Sequence, residues 1–576
     1  MDKLEHDVII LGGGAAGLRA AIAAAKYNPF HSYYPALSVA VVSKTYPMRS
    51  HTVSAEGGLG AVLKESDSYD SHAFDTIKGS DFLADQDAVE FFVKEAPKEI
   101  VQLEHWGCPF SRDPDGKLSV RWFGGMSVKR TFFASDKIGF HLLHTLFQTC
   151  LKQDNIIFYN EWYATSLLVA QDRVYGVLAL DLKTGELNAI LGKAVIIATG
   201  GAGKIYEFTT NGAIKTGDGM ALAYRVGVPL KDMEFVQYHP TALPGTGILM
   251  TEAARGEGGY LINKDGERFL KRYVPQKMEL GPRDNLSRAI MTEIKDGRAI
   301  DGPYGQFVHL DLRHLGKETI EKKLPFVKEL STQYAGINPV REPIPVRPGV
   351  HYVMGGVHTD KKGFTGLAGL YAAGEAACVG INGANRLGSN SLTECLVFGA
   401  EAGKASGEFA WQKKSEVPAI SVTEAGQAME KRLFDDLLGK ESGKMNVADI
   451  RIELQKTMEN NVGIYRAEQG LAAGCRILKD LKQRFREVSA GDKDPLFNTE
   501  LISILELECM LDVAETIATT ALSRQESRGS HSRLDYPVRR DEKFLTHSTA
   551  SYTKEAPEIN YVPVNITRWQ PAERVY

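Results

Sequence analysis

A glycine-rich turn between two apolar segments restricts the fold of this chain more than any other feature of its sequence. The apolar stretch DVIIL (7–11) runs into GGGAAG (12–17), which is followed by an alanine-rich helical pattern (18–27) and by a second apolar stretch, LSVAVVS (37–43). Short apolar runs bounded by turn residues are typical of buried strands. The order strand, glycine turn, helix, strand predicts the first unit of a Rossmann-like α/β fold.

The three glycines of this turn have different physical roles. Gly12 allows the tight turn, Gly14 lets the backbone approach a pyrophosphate, and Gly17 lets the helix pack closely on the strand. The amides at the helix N-terminus, where Ala15 lies, then face the phosphates together with the positive end of the helix dipole. The turn is therefore predicted to bind a nucleotide.

Two later segments indicate which nucleotide is bound. KAVIIATGGAG (193–203) is a strand that enters another glycine-rich turn, and GLAGLYAAGEAA (366–377) is a strand that ends in a glycine and Glu375. In FAD-binding folds an acid at this strand end meets the ribityl region. Ser43 and Lys44 end the second strand where many dinucleotide folds place an acid for the ribose, so that part of the pattern differs here. Together the three segments predict FAD.

The wide spacing of these segments predicts a discontinuous FAD-binding domain, with parts at 1–235 and 351–420. The segment 236–350 is richer in charged and turn residues and is expected to be an inserted capping domain. Long amphipathic patterns favour a helical domain over 421–540, and the polar segment 541–576 favours an extended tail that lies over the body or a partner. The predicted fold class is therefore α/β, a Rossmann-like FAD-binding domain with an inserted α+β capping domain, followed by a helical domain and a C-terminal tail.

Composition excludes several classes of function. A formal charge of -4 over 576 residues argues against a nucleic-acid partner. The six cysteines are scattered without a CxxC pair, which is typical of reduced thiols and not of a disulfide framework, a zinc site or a disulfide reductase. No apolar run reaches the roughly 20 residues that a membrane-spanning helix needs. We expect a chain that is soluble by itself, holds no metal and reaches a membrane only through a partner.

Cationic and neutral donors recur in glycine- and proline-rich segments of the middle of the chain. Arginine binds a carboxylate through two parallel hydrogen bonds, and neutral histidine and threonine orient a ligand without adding charge. Such a set suits a small dianion. Its candidate members are His239, Thr251, Arg255, Arg283, His351 and Arg386.

A single histidine, His51, stands in a loop of small residues, PMRSHTVSAEGG (47–58), that has neither helical nor strand periodicity. With this loop the sequence resembles the flavoprotein subunits of succinate dehydrogenase and quinol:fumarate reductase over essentially its whole length. The motifs that carry the resemblance occur in family order and spacing. They are GGGAAG (12–17), RSHTVSAEGG (49–58), QYHPT (237–241), TEAARGEGG (251–259), GPRD (281–284), HYVMGG (351–356), AAGE (372–375), NRLGSNSL (385–392) and SRGSHSRLDYPVRRDE (527–542).

The resemblance implies a role for His51, because in this family the histidine of this loop is bonded covalently to the 8α carbon of the flavin. Small residues are needed around it, since bulkier ones would block the approach of the imidazole to the ring. A covalent link also raises the flavin potential, which the oxidation of a saturated C–C bond requires. The neighbouring residues implied to line the ring are Thr52, Ser54, Glu56, Gly57 and Gly58.

The same resemblance implies the rest of the site. Arg283 would transfer a proton, supplied through Glu252 and Arg255, while one carbon of succinate gives a hydride to flavin N5 and fumarate is left. The residues implied to bind the dicarboxylate are His239, Thr251, His351 and Arg386. The further residues implied or predicted to contact the cofactor are Gly12, Gly14, Ala15, Gly17, Ser43, Lys44, Asp218, Glu375, Ser391 and Leu392.

The predicted reaction is succinate oxidation, with electrons passing to an iron–sulfur subunit and then to quinone at a membrane anchor. Glu56 and the serine of RLGSNSL look more like the fumarate-reductase branch, so fumarate reduction stays open as the physiological direction. One rival function is L-aspartate oxidase, whose family lacks a flavin-linking histidine in this loop. A second is a soluble fumarate reductase, which usually carries an extra cofactor domain of its own. A third is a non-catalytic FAD electron-relay module, which gives no reason for the cationic set. Because the first strand begins by about Asp7 without an export segment, the predicted location is the cytoplasmic face of the bacterial inner membrane, as a peripheral subunit.

Overall fold

The fold is given by a computed structural model that describes residues 2–28, 36–413, 419–440 and 445–575. The outer limits of the predicted domains, 1 and 576, and the residues just before the predicted boundary at 420 lie outside the described residues. The strands, in chain order, are β1 (Lys3–Leu11), β2 (Val39–Ser43), β3 (Leu59–Gly60), β4 (Val120–Arg121), β5 (Thr131–Phe132), β6 (Ile156–Asn160), β7 (Trp162–Ala170), β8 (Arg173–Asp181), β9 (Leu187–Ile197), β10 (Leu230–Lys231), β11 (Val236–Ala242), β12 (Tyr260–Ile262), β13 (Val308–Asp311), β14 (Ile344–Val353), β15 (Gly356–His358), β16 (Leu370–Ala372), β17 (Ala377–Cys378), β18 (Tyr465–Arg466), β19 (Ser532–Arg533), β20 (Thr546–Ser551) and β21 (Glu558–Pro563). The α-helices are α1 (Ala15–Ala25), α2 (Tyr69–Gly79), α3 (Gln86–His105), α4 (Ile138–Cys150), α5 (Asp218–Arg225), α6 (Glu252–Gly256), α7 (Leu270–Tyr273), α8 (Arg283–Lys295), α9 (Gly316–Lys323), α10 (Pro325–Ala335), α11 (Asn390–Gln412), α12 (Ala419–Glu430), α13 (Val447–Asn461), α14 (Glu468–Phe485), α15 (Thr499–Ser523) and α16 (Asp541–Phe544).

A seven-stranded sheet forms the centre of the FAD-binding domain. Its order is β6-β2-β1-β9-β8-β7, and β16 pairs with β9 as well. Strand β1 runs parallel to both β2 and β9. Ile9 and Leu11 belong to the apolar cluster on one face of the sheet, and Val8 and Ile10 belong to the cluster on the other face. A strand buried on both faces requires a continuous apolar run, which explains why DVIIL does not alternate.

The predicted strand–turn–helix–strand unit is confirmed, although two of its limits differ. Strand β1 begins at Lys3 and not at Asp7, because Lys3–His6 also pair with β9. Helix α1 begins at Ala15 and not at Leu18. The glycine turn is therefore only three residues long, and the first turn of the helix starts inside the GGGAAG motif.

Helix α1 packs closely against α11, and small residues make this possible. A Cβ atom at Gly399 would lie 2.7 Å from the carbonyl oxygen of Ala16, and one at Gly403 would lie 2.3 Å from that of Ala20. Both distances are far below van der Waals contact. This contact joins the first and the second part of the discontinuous FAD-binding domain.

The inserted segment has a sheet and a core of its own. Strands β11, β14, β13 and β12 form a four-stranded antiparallel sheet in that order. A separate apolar cluster, formed by residues between Leu243 and Val346, packs between this sheet and helices α6–α10. This is the α+β arrangement predicted for the capping domain. The domain limits 236 and 350 stay predictions.

The helical region packs on the FAD-binding domain and shares its core. Residues of α13, α14 and α15 belong to the same apolar cluster as one face of the central sheet. The pattern at 450–485, which looked continuous in sequence, divides into α13 and α14, and the short strand β18 lies between them. The apolar periodicity of the sequence continues through this break, so the pattern alone could not reveal it. Within the described ranges, no helix is both long and apolar enough to cross a membrane.

The segment 541–576, which was expected to be an extended tail, contains two strands. Strands β20 and β21 pair with each other, and β20 pairs with β10, in a five-stranded sheet of order β17-β15-β10-β20-β21. The outer strand β21 is largely exposed, so its sequence lacks the apolar pattern of a buried strand. The tail therefore completes a sheet of the body.

Candidate active site

A cavity of about 630 Å³ lies where the central sheet, the inserted domain and the start of α11 meet. Its volume is within the range of small-molecule and cofactor pockets. The predicted cofactor residues that line it are Gly12, Gly14, Ala15, Ser43, Lys44, His51, Thr52, Ser54, Glu56, Gly57, Gly58, Asp218, Glu375, Ser391 and Leu392. The predicted dicarboxylate and proton-transfer residues that line it are His239, Thr251, Glu252, Arg283, His351 and Arg386. Of the predicted site residues, Gly17 and Arg255 do not line it.

The glycine turn has the geometry that a close phosphate approach needs. Gly12 has φ +113°, and a Cβ atom there would lie 2.3 Å from the carbonyl oxygen of Ala198. Gly17 stands behind the turn, where a Cβ atom would lie 1.9 Å from the carbonyl oxygen of Gly12. Gly17 therefore allows helix packing and does not contact the cavity. The N-cap residue of α1, Gly14, has no side chain to cap the helix, although the amide of Ala15 donates to Thr52 Oγ1 at 3.2 Å. The positive end of the helix dipole still faces the position of an anion.

Asp218, the first residue of α5, places a carboxylate beside the end of β2. Lys44 Nζ donates to Asp218 Oδ2 at 2.6 Å, to Glu506 Oε1 at 2.7 Å and to Thr216 Oγ1 at 2.8 Å. Burial opposes the charge on Lys44, but Asp218 and Glu506 outweigh it and raise the pKa of the ammonium. Sequence reasoning placed Asp218 in the site and missed Glu506, which lies 462 positions from Lys44 along the chain.

A second buried ion pair lies at Glu375. Lys215 Nζ donates to Glu375 Oε2, and the amide of Val353 donates to Glu375 Oε1 at 3.2 Å. Lys215 was not predicted, although it lies in a glycine-bounded segment just before Asp218. It lines the same cavity, and it places a cation close to His51.

His51 lies in a short 3₁₀ helix, His51–Ser54, that follows Ser50. The amide of Gly212 donates to His51 Nδ1 at 3.3 Å. Burial and then the charge of Lys215 lower the pKa of the imidazole to about 3. The ring is therefore neutral at physiological pH, which is the state that a nucleophile or a covalent ligand needs.

Glu56 is a buried carboxyl group at the cavity wall with an unused acceptor. Its Oε2 atom has no hydrogen-bond partner among the described residues. Burial and the nearby Asp136 raise its pKa well above the ordinary value, although Arg121 acts in the opposite direction. Arg121 donates to the carbonyl oxygens of Glu56 and Gly57 and so fixes the loop. An orphaned buried carboxyl fits a wall that a bound group completes.

Two arginines from distant segments are held side by side by one neutral amide. Gln237 Oε1 accepts from Arg283 Nη1 at 2.9 Å and from Arg386 Nη2 at 3.0 Å. Burial and the neighbouring Arg283 lower the pKa of Arg386 to about 10. Arg386 Nε has no partner among the described residues. Gln237 was missed in sequence because it is uncharged, although it begins the QYHPT motif.

Two histidines lie beside these arginines, and both are neutral. The ring centroids of His239 and His351 are 5.1 Å apart. Burial and then Arg283 lower the pKa of both imidazoles well below the ordinary value. Thr210 Oγ1 and His351 Nδ1 are hydrogen-bonded at 2.8 Å. The pair can donate hydrogen bonds to a dianion without adding to the charge of the arginines.

Glu252 lies behind Arg283 and connects it to Arg255. Arg283 Nε donates to Glu252 Oε2 at 2.8 Å, and Arg255 Nη2 lies 3.7 Å from the same oxygen. Burial opposes ionisation of Glu252, but Arg283 and Arg255 keep its pKa below the ordinary value. Arg255 is fully enclosed behind Glu252. The three side chains thus form a row that leads away from the cavity.

Comparison with known proteins identifies the family. An FAD binding domain family matches residues 7–392, and a fumarate reductase flavoprotein C-terminal family matches residues 451–576. The chain belongs to the flavoprotein subunits of the fumarate reductase and succinate dehydrogenase family. It is 56% identical to the fumarate reductase flavoprotein subunit of Mycobacterium tuberculosis over 99% of both chains. It is 41% identical to the succinate dehydrogenase flavoprotein subunit of Rickettsia bellii over 99% of this chain and 98% of that protein.

A solved structure of this family has the same fold throughout. The quinol fumarate reductase flavoprotein of E. coli superposes with a TM-score of 0.96 at 47% identity, covering 100% of this chain and 99% of that one. The prediction of an α/β FAD-binding fold with capping and helical domains is therefore confirmed. An FAD-binding domain is present, as the sequence predicted.

We expect Gly12→Ala to reduce bound flavin per polypeptide to below about a tenth, because a Cβ atom at positive φ and against a backbone carbonyl must displace the turn from the phosphates. The flavin-to-protein absorbance ratio of the purified protein measures this. Gly107→Ala is the matched control, since Gly107 has φ +100° but no atom within 4 Å of a Cβ. Equal flavin loss in both variants would show backbone strain alone, and full flavin in Gly12→Ala would contradict the phosphate role.

Proposed function

We propose that this protein interconverts fumarate and succinate at bound FAD, and that fumarate reduction is its physiological direction. The observation that carries the reaction is the pair Arg283–Arg386, tied by Gln237 and flanked by two neutral histidines in the FAD cavity. Two guanidinium groups and neutral donors match two carboxylates in charge and geometry. The inserted domain excludes water from the cavity, and this exclusion strengthens these contacts.

Other observations support fumarate reduction as the physiological direction. A relative named fumarate reductase is 56% identical, and one named succinate dehydrogenase is 41% identical. Glu56 and the serine of RLGSNSL, which resemble the fumarate-reductase branch, favour the same direction. Succinate oxidation, the direction expected from sequence, is the second candidate, because the same residues serve the reverse step.

In the proposed mechanism, Arg386, His239, His351 and Thr251 hold the two carboxylates of the substrate. FAD, when bound, supplies the hydride donor or acceptor. A guanidinium nitrogen of Arg283 gives a proton to the neighbouring carbon of fumarate. Arg283 regains its proton through Glu252 Oε2, which accepts from Arg283 Nε at 2.8 Å. Because Glu252 is ionised, it first takes a proton from Arg255, whose Nη2 lies 3.7 Å from the same oxygen, and then passes it to Arg283. One hydride and one proton thus convert fumarate to succinate.

The competing functions fit the cavity less well. The α-ammonium group of aspartate would be repelled by the charges of Arg283 and Arg386. The ionised Glu252 could attract that ammonium group, but it is already bonded to Arg283. A non-catalytic electron-relay module gives no reason to bury two guanidinium groups on one amide oxygen, an arrangement that costs free energy unless an anion binds.

We also propose that His51 carries FAD covalently. The support is a neutral imidazole at the cavity wall, in a loop of small residues that admits a close approach. The cation Lys215, which lowers the pKa of His51, stands where it keeps the ring neutral during attachment.

The proposed partners are an iron–sulfur subunit and a membrane anchor where quinone reacts. Flavin exchanges two electrons, whereas iron–sulfur clusters and quinone radicals exchange one at a time, so a relay is needed between them. One structural neighbour, 0.95 in TM-score, is titled a quinol-fumarate reductase with menaquinol molecules. All six cysteines are unpaired thiols, which suits a reducing compartment. The proposed location is the cytoplasmic face of the bacterial inner membrane, as a peripheral subunit.

We expect His51→Ser to bind FAD without a covalent bond and to lose succinate oxidation to a greater extent than fumarate reduction. A lower flavin potential makes hydride removal from succinate harder and hydride delivery easier. The measurements are flavin retained in the acid-precipitated protein and both rates. His144→Ser, on an exposed part of α4, is the control and should keep covalent flavin. Succinate oxidation at the wild-type rate in His51→Ser would contradict the covalent-link argument.

We expect Arg283→Ala to lower turnover in both directions by roughly 10²–10⁴-fold, the usual contribution of a positioned acid or base. Dicarboxylates should still perturb the flavin spectrum, because Arg386 and the histidines remain. Arg313→Ala is the control and should keep its rate. The Arg313 side chain is 48% exposed in its ion pair with Asp311, in the same inserted domain. Lost spectral perturbation with turnover intact would make Arg283 a binding group and not a proton donor.

A further inference from the structure

The last described residues form a strap across the FAD-binding domain. We call residues 564–575 the C-terminal strap. Gln86 Oε1 accepts from the amides of Thr567, Arg568 and Trp569 at 3.1, 2.8 and 3.0 Å, and Gln86 Nε2 donates to Trp569 O at 2.6 Å. The start of α3 therefore holds the strap in one register, and the chain beyond Trp569 continues toward the inserted domain.

Near its end, the strap places Arg574 against the first turn of α8. Arg574 Nη2 donates to both oxygens of Asp284, at 3.1 and 2.9 Å, and Arg574 Nη1 lies 3.5 Å from Asp81 Oδ2. The side chains of Arg574 and Asp284 are 8% and 1% exposed. Asp284 directly follows Arg283. The strap thus reaches the residue next to the proposed proton donor.

A continuous row of buried hydrogen bonds leads from Asp284 to both substrate arginines. Asn385 Nδ2 donates to Asp284 Oδ1 at 3.2 Å, and Gln237 Nε2 donates to Asn385 Oδ1 at 2.9 Å. Gln237 Oε1 is the atom that accepts from Arg283 and Arg386. The carboxylate of Asp284 requires the NH₂ group of Asn385, which leaves the Asn385 oxygen for the NH₂ group of Gln237. The same NH₂ groups also donate to Gly79 O at 3.3 Å and to Arg386 O at 2.8 Å, so Asp284 adjusts the position of amides that the backbone also holds.

From this row we propose that Arg574 is a positioning residue, which sets the spacing of Arg283 and Arg386 through Asp284, Asn385 and Gln237. The inference rests on the proposed function and adds to it a contribution from the end of the chain. Without Arg574, Asp284 keeps Arg288, whose Nη2 lies 3.0 Å from it, so the fold persists. The carboxylate then turns toward Arg288, and the bond from Asn385 Nδ2 to Asp284 weakens, so that Gly79 O, at 3.3 Å, becomes the main acceptor of this amide.

The test compares Arg574→Ala with Arg568→Ala in the full-length, FAD-loaded protein within its native assembly. Arg568 belongs to the same strap but forms an exposed ion pair with Asp70, 49% and 66% exposed, outside the row. We expect Arg574→Ala to raise the KM for fumarate and the Kd of malonate roughly tenfold, the size of a lost buried charged contact. The value of kcat should change less than KM. The thermal midpoint should fall further than in Arg568→Ala, because only Arg574→Ala breaks a buried ion pair.

A second variant and a double mutant complete the test. Arg574→Lys keeps the charge but presents one ammonium in place of the guanidinium fork, and should show a smaller rise in KM; it also decides the case if Arg574→Ala does not fold. Arg574→Ala combined with Asn385→Ala should raise KM less than the product of the single effects, because both act on one row. Additive effects, or a KM for Arg574→Ala equal to that of Arg568→Ala, would overturn the inference. A wild-type protein inactive with fumarate and succinate would instead refute the proposed function.

Discussion

The site depends on two like charges, Arg283 and Arg386, buried side by side. Their repulsion and desolvation cost free energy, and the protein offsets part of this cost with Gln237 Oε1 between them and Glu252 behind one of them. In the proposed function, a bound dianion offsets the rest of this cost. Neutral histidines beside the arginines fit this balance, because further positive charge would destabilise the empty site. Charged imidazoles would also compete with the two arginines for the carboxylates of a ligand.

Those two arginines come from different parts of the chain, so the fold has to bring these parts together at the cavity. Arg283 begins α8 of the inserted domain, and Arg386 precedes α11 of the FAD-binding domain. Gln237 stands on β11, where the chain enters the insertion. The close packing of α1 on α11, made possible by Gly399 and Gly403, fixes Arg386 relative to the nucleotide turn. Cofactor binding and substrate binding therefore share one set of packed elements.

The residues that could be predicted from sequence are those whose chemistry is visible locally. The glycine turn, the lone His51, and Arg283 and Arg386 in their glycine-containing segments were found, and nearly all of these residues line the cavity. The residues that were missed are Gln237, Lys215, Glu506 and Asn385, because each acts through a partner far away in sequence. Gln237 and Asn385 begin two of the motifs, but an uncharged amide does not show locally which groups it will join. Strand β21 was missed for a related reason: it pairs with β20 at an exposed edge, where burial imposes no apolar alternation.

The proposed function requires this cavity to hold flavin and a C4 dicarboxylate together as a reacting pair. Anaerobic rapid mixing of the chemically reduced protein with fumarate tests it most directly, with flavin absorbance as the signal. We expect the oxidised flavin spectrum to return at a rate that saturates with fumarate concentration, and one succinate to form per flavin. If fumarate left the flavin reduced, while L-aspartate reduced the oxidised protein, the assignment of this site would be wrong.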